Sequence, residues 1–192
     1  GGEPNRTTLK GAQFVDVFQH YYTSIKAADI TAKITGPSIL NWDYTCNGCG
    51  GFTSGEAWLI DFINSYKATY SVKPPVDVWA IDVYPIDWLN TPNNDTVRLA
   101  SYQGQSVLHS FVATQQLVNM RQYLDANGYA STPIWITEIA LHVGYESWSY
   151  NPFPNLDPVL PYHWDNMSNY LNEVLDWLEA NSAGKGIEKW FF

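Results

Sequence analysis

The stretch PIWITEIALHV, residues 133–143, decides the fold. Its apolar, β-branched run through Ile134, Trp135, Ile136 and Thr137 reads as a buried strand. Comparable stretches are AKITGPSILNWD at 32–43, PVDVWAIDVYP at 75–85 and GIEKWFF at 186–192. Helical spacing fills the intervals. Phe14, Phe18, Tyr21, Tyr22 and Ile25 form one stripe, and Trp58, Leu59, Phe62, Ile63 and Tyr66 a second. The second stripe follows Thr53 and Glu56, a capping-box pattern. Val107, Leu108, Phe111, Val112, Val118 and Leu124 form a third, and Tyr170, Leu171, Val174, Leu175 and Leu178 a fourth. Helix and strand therefore alternate along the chain, which predicts βαβ units and a parallel sheet of the α/β class. No linker, repeat or low-complexity segment divides residues 1–192, so a single domain is expected.

Composition narrows the function. The chain has 192 residues, 45% of them apolar, enough for a real core. Its net charge of -9, from 19 acidic and 10 basic residues, argues against a nucleic-acid partner. It contains no run of 18 apolar residues, so no membrane partner is expected. Aromatic residues (16%) outnumber charged ones (15%), with nine Trp and thirteen Tyr. Aromatic rings match the flat apolar face and polar rim of a sugar, although most of these rings are read as packing. Nucleotide fingerprints and the G-x-S-x-G elbow are absent, and His20, His109 and His163 lack metal-site spacing, so neither a cofactor nor a metal is expected. Cys46 and Cys49, in TCNGCGG, fit a redox motif, half a zinc site or a tight disulfide. The surrounding Gly, Asn and Thr favour a disulfide in a surface loop of a secreted protein.

Polar residues collect after the strands: Asn41, Trp42 and Asp43; Tyr84 and Asp87; Glu138 and His142. In parallel α/β folds that edge is where ligands bind. A carboxylate such as Glu138 is costly to place at a buried strand end without a purpose. The chain offers it a partner in GGEPN, residues 1–5, where Pro4 ends a strand and leaves Glu3 at the same rim. Two carboxylates at one rim make a glycosidase pair possible, one protonating the leaving oxygen and one acting at the anomeric carbon. Asn41 and Asp82 are candidates to hydrogen-bond sugar or a catalytic glutamate, and Asp82 shares strand parity with Tyr84. Trp42 is a candidate sugar platform or a packing residue, and His142 a candidate sugar contact.

Glu-Pro-Asn after one strand, with Trp-Ile-Thr-Glu three strands later, resembles the two catalytic motifs of the clan A glycoside hydrolases. The look of DVWAIDVYP and PIWITEIAL is similar to cellulase-like and β-1,3-glucanase-like members. The resemblance implies a (β/α)8 TIM barrel, of which this chain covers the end of strand 4 through strand 8. It implies a secreted or cell-surface hydrolase that degrades β-linked polysaccharides with retention. Glu3 would be the acid/base, Glu138 the nucleophile, and Tyr84 a hydrogen-bond partner of the nucleophile. A half barrel leaves open edges, so a second chain or an N-terminal half is expected to complete it. The family has Asn before the acid/base, where this chain has Gly2. That departure keeps open a second reading, a degenerate glycan-binding or surface-structural protein on a glycosidase scaffold. A hydrolase of other specificity on another α/β fold is the third.

Overall fold

The structure is a computed structural model and describes residues 3–43, 54–84, 110–140 and 164–192. Four helices alternate with four strands: α1 (Gly11–Ala28), β1 (Thr35–Leu40), α2 (Gly55–Tyr70), β2 (Val78–Val83), α3 (Ser110–Ala126), β3 (Ile134–Ile139), α4 (Trp164–Lys185) and β4 (Ile187–Trp190). A short 3-10 turn, Pro4–Arg6, precedes them. The strands form one sheet in the order β1-β2-β3-β4, and every adjacent pair is parallel. The expected α/β class and the alternation are thus present.

One face of the sheet carries the core. Ile39, Trp79, Ile81, Val83, Ile134 and Ile136 pack against helix residues such as Phe18, Phe62, Leu117 and Val174. β2 is buried along its whole length, as an inner strand of a parallel sheet must be. The rings of Phe14, Phe18, Trp58, Phe62 and Tyr66 form a contiguous cluster, with neighbouring centroids 5.3–6.5 Å apart. Most of the aromatic excess described here is therefore core. α1 and α2 approach closely because Gly11 has no side chain: a Cβ there would run into Phe62 N and lie 2.8 Å from Trp58 O. Only part of the α1 stripe is buried, however. Phe18 is enclosed, whereas Tyr21 is 61% exposed and Ile25 is 38% exposed. The α2 cap also differs from the expected one. Ser54 is the N-cap and accepts from Ala57 N at 3.0 Å, while Thr53 lies outside the described residues.

Entry into β3 is fixed by a buried cation. Arg121 on α3 donates to Thr132 O at 2.8 Å, to Tyr129 O at 2.7 Å and to Asp125 Oδ1 at 2.7 Å. It thereby holds the turn that feeds the strand carrying Glu138. Replacing it removes the donor to Thr132 O and one of the two donors to Tyr129 O, which also accepts from Thr132 N at 2.9 Å. Arg121→Met is expected to lower folding stability by about 2–3 kcal/mol, read as a shifted urea midpoint with an unchanged denaturant slope.

Candidate active site

The C-terminal edge of the sheet is tied together by two asparagines. Asn5 is buried, and its amide both donates to Leu40 O (2.7 Å) and accepts from Leu40 N (2.8 Å). Asn41 repeats the device one strand further on. Its side chain donates to Tyr84 O and accepts from Tyr84 N, both at 2.8 Å. Asn41 adopts a left-handed backbone (φ 51), a conformation asparagine tolerates better than most residues. Its own N–H still bonds Asp82 O at 2.8 Å. The site edge is thus a chain of side-chain clasps on backbone that the sheet ladder no longer pairs.

Glu3 stands at the head of this chain. It caps the 3-10 turn in a left-handed conformation (φ 54, ψ 53), and its N–H donates to Ser38 O at 2.8 Å. That bond and the Asn5 clasp set Glu3 beside the end of β1, at the rim. Glu138 reaches the same rim through a register shift. Ile81 is opposite Ile136 but Asp82 is opposite Glu138, so β3 carries one extra residue, Thr137. Strict alternation would put Glu138 on the face of Ile134 and Ile136, which are buried against the helices. The bulge re-aims it. Glu138 is exposed, and Tyr84 Oη donates to its Oε2 in a short hydrogen bond.

Beneath the two glutamates sits Asp82, only 3% exposed. Its Oδ1 receives Ser38 Oγ at 2.9 Å and Thr137 Oγ1 at 2.6 Å, so one carboxyl group spans three strands. Burial pushes this carboxyl up to about 6; the Thr137 and Ser38 bonds oppose the rise, and the charges of Glu138 and Glu3 add to it. The Tyr84 hydroxyl is held above its ordinary value by burial, by its bond to Glu138, and by the charges of Glu138, Asp82 and Glu3. Glu3 and Glu138 therefore act on the same two groups, and Asp82 and Tyr84 lie within the field of both.

Asn41 and Asp82 take other parts than a sugar contact, and Trp42 takes the packing part of its two expected roles. Asn41 is fully buried and spends its amide on Tyr84 backbone, so it supports the site rather than touching a sugar. Asp82 likewise lies under the site, with its oxygen engaged by hydroxyls. Trp42 is 1% exposed, donates its backbone N–H to Gln116 Oε1 at 2.8 Å, and packs its ring 5.3 Å from that of Tyr123. It is a packing residue with no face free for a platform. His142, Cys46 and Cys49 lie outside the described residues. The clasp made by Asn5 and the hydroxyls of Ser38 and Thr137 were not singled out by sequence. The only signal for Asn5 was its place in Glu-Pro-Asn, where it also reads as a sequon.

The chain matches no protein-family model, no curated protein and no solved structure. The site therefore has to be read from its own geometry. Removing the Asn41 side chain takes away both hydrogen bonds that it makes with the Tyr84 backbone. Asn41→Ala is expected to destabilise the fold by about 2–3 kcal/mol, measured by chemical denaturation. Asn41→Asp, which sets a buried carboxylate oxygen against Tyr84 O, is expected to lose at least as much at neutral pH.

Proposed function

We propose that this chain carries the two catalytic carboxylates of a retaining β-glycoside hydrolase, acting on β-linked oligo- or polysaccharides outside the cell. The observation that carries the reading is the grip of Tyr84 on Glu138 at the C-terminal edge of a parallel sheet, with Glu3 acting on the same tyrosine and aspartate. Ligands of parallel α/β folds bind at that edge. On this reading the sheet is part of a (β/α)8 barrel. β1 and β4 are the outermost strands among the described residues, the positions at which further strands would close it.

The proposed chemistry uses this chain's own groups. Glu138 attacks the anomeric carbon and forms a glycosyl-enzyme, while Glu3 delivers its proton to the leaving oxygen. Glu3 then takes a proton from water, which attacks the same carbon and releases Glu138. The Tyr84 hydrogen bond holds one oxygen of Glu138, leaving the other to act as nucleophile. Such a mechanism requires carboxyl groups roughly 5 Å apart.

Hydrolysis of β-glucans by the wild type and by Glu138→Gln tests the reading. Glu138→Gln is expected to lose at least about a thousandfold in kcat, which corresponds to roughly 4 kcal/mol of barrier. Glu3→Gln is expected to lose most activity on natural glycans but much less on aryl glycosides, whose leaving groups need no proton. Tyr84→Phe is expected to lower kcat more than it changes KM. Full activity in Glu138→Gln would overturn the assignment. A second reading, glycan binding without turnover, draws on Gly2, which stands where the clan has asparagine. It predicts saturable glycan binding and no hydrolysis by the wild type.

A further inference from the structure

One residue of β1 bonds to both of the segments that carry the glutamates. The Ser38 carbonyl accepts the Glu3 N–H at 2.8 Å. The Ser38 hydroxyl donates to Asp82 Oδ1 at 2.9 Å and lies 2.7 Å from Thr137 Oγ1. Thr137 is the extra residue of the β3 bulge and immediately precedes Glu138. Backbone and side chain of a single serine thus reach the two carboxylates from opposite sides.

The Ser38–Thr137 contact crosses a whole strand. β2 lies between β1 and β3, and strands two apart are about 9–10 Å from each other across a flat sheet. Two short side chains meet over that interval only where the sheet curls toward the face that bears them. Ser38 is paired with Ala80 on the intervening strand, and the alanine methyl is too short to block the crossing. Thr137 Oγ1 is also held from β2, 2.6 Å from Asp82 Oδ1 and 3.2 Å from Ile81 O. Those contacts tie the bulge to its neighbour, and the Ser38 hydroxyl ties it to the strand on which Glu3 rests.

We propose that Ser38 is a positioning residue that sets the separation of Glu3 and Glu138, its carbonyl holding the first and its hydroxyl, through Thr137, the second. The inference rests on the glycosidase reading for its effect on turnover, but not for the link itself. Retention needs the two carboxyl groups roughly 5 Å apart, and a displacement of about 1 Å can cost a hundredfold in rate. The sheet ladder has ended at this rim, so side-chain ties carry that precision.

The deciding comparison is Ser38→Ala against Ser38→Thr. Alanine removes the hydroxyl and leaves the carbonyl that holds Glu3. Threonine keeps the hydroxyl, and its added methyl has room because Ser38 and Thr137 line an open groove of about 410 Å³. With carbon-13 at the tyrosine ζ position, the Tyr84 signal reports the bond to Glu138, and Tyr84→Phe assigns it. Ser38→Ala is expected to shift that signal and Ser38→Thr to return it to the wild-type position. On β-glucans, Ser38→Ala is expected to lose about ten- to a hundredfold in kcat with KM nearly unchanged, and Ser38→Thr to stay within about threefold of the wild type. A merely structural role would lower the melting temperature of Ser38→Ala and leave the signal and the kcat of the folded protein in place. Either an unmoved Tyr84 signal or an unchanged kcat in Ser38→Ala overturns the proposal. Should Ser38→Ala fail to fold, Thr137→Val cuts the same link from its other end and is read in the same way. If no glycan is hydrolysed, the function fails while the Tyr84 signal still decides the link; hydrolysis that ignores Ser38→Ala sinks only this inference.

Discussion

Where a strand ends, its backbone loses its ladder partners, and the exposed N–H and C=O groups must find others. Asn5 and Asn41 answer that demand with one and the same arrangement. Each amide side chain donates to and accepts from a single residue of the neighbouring strand, Leu40 in one case and Tyr84 in the other. The geometry of the rim follows from these clasps. Glu3 is fixed because Asn5 is fixed to β1, and Tyr84 is fixed because Asn41 is fixed to β2. Glu138 is then held by Tyr84. Four segments distant in sequence are thereby placed by hydrogen bonds.

The same economy separates the two faces of the sheet. One face is dry, filled by Ile39, Trp79, Ile81 and Ile136 against the helices. The other bears Ser38, Asp82 and Thr137, which hydrogen-bond mainly to one another. A groove of about 410 Å³ between α1 and the edge of β1 reaches Ser38 and Thr137. Side chains of α1, including the half-open Tyr21 and Ile25, line it. The polar face thus lies between a rigid core and an accessible surface, as a site built on strands requires.

Much of this was legible in the sequence, for a physical reason. Strands buried on one or both faces must be apolar and β-branched, so 78–83 and 134–139 announce themselves, and their alternation with helices dictates a parallel sheet. Glu138 stood out because a carboxylate conflicts with such a run. Contacts between segments were harder to read. Trp42 has the composition of a sugar platform, but only the fold shows Tyr123 and Gln116 enclosing it. Asn41 has the look of a ligand contact, yet its amide is satisfied by the backbone of Tyr84, 43 residues away. The bulge at Thr137 leaves no trace in local composition, since it exists only in the pairing of β3 with β2.

That bulge makes the site sensitive to count as well as to chemistry. Because side chains alternate along a strand, the extra residue between Ile136 and Glu138 is what separates a glutamate at the rim from one buried against helices. Every residue of β3 could be conserved in kind, and the site would still vanish if the strand were one residue shorter. The rim is thus an odd-numbered event in an even-numbered lattice. A relative of this protein could gain or lose the arrangement by a single insertion or deletion, with the core none the wiser.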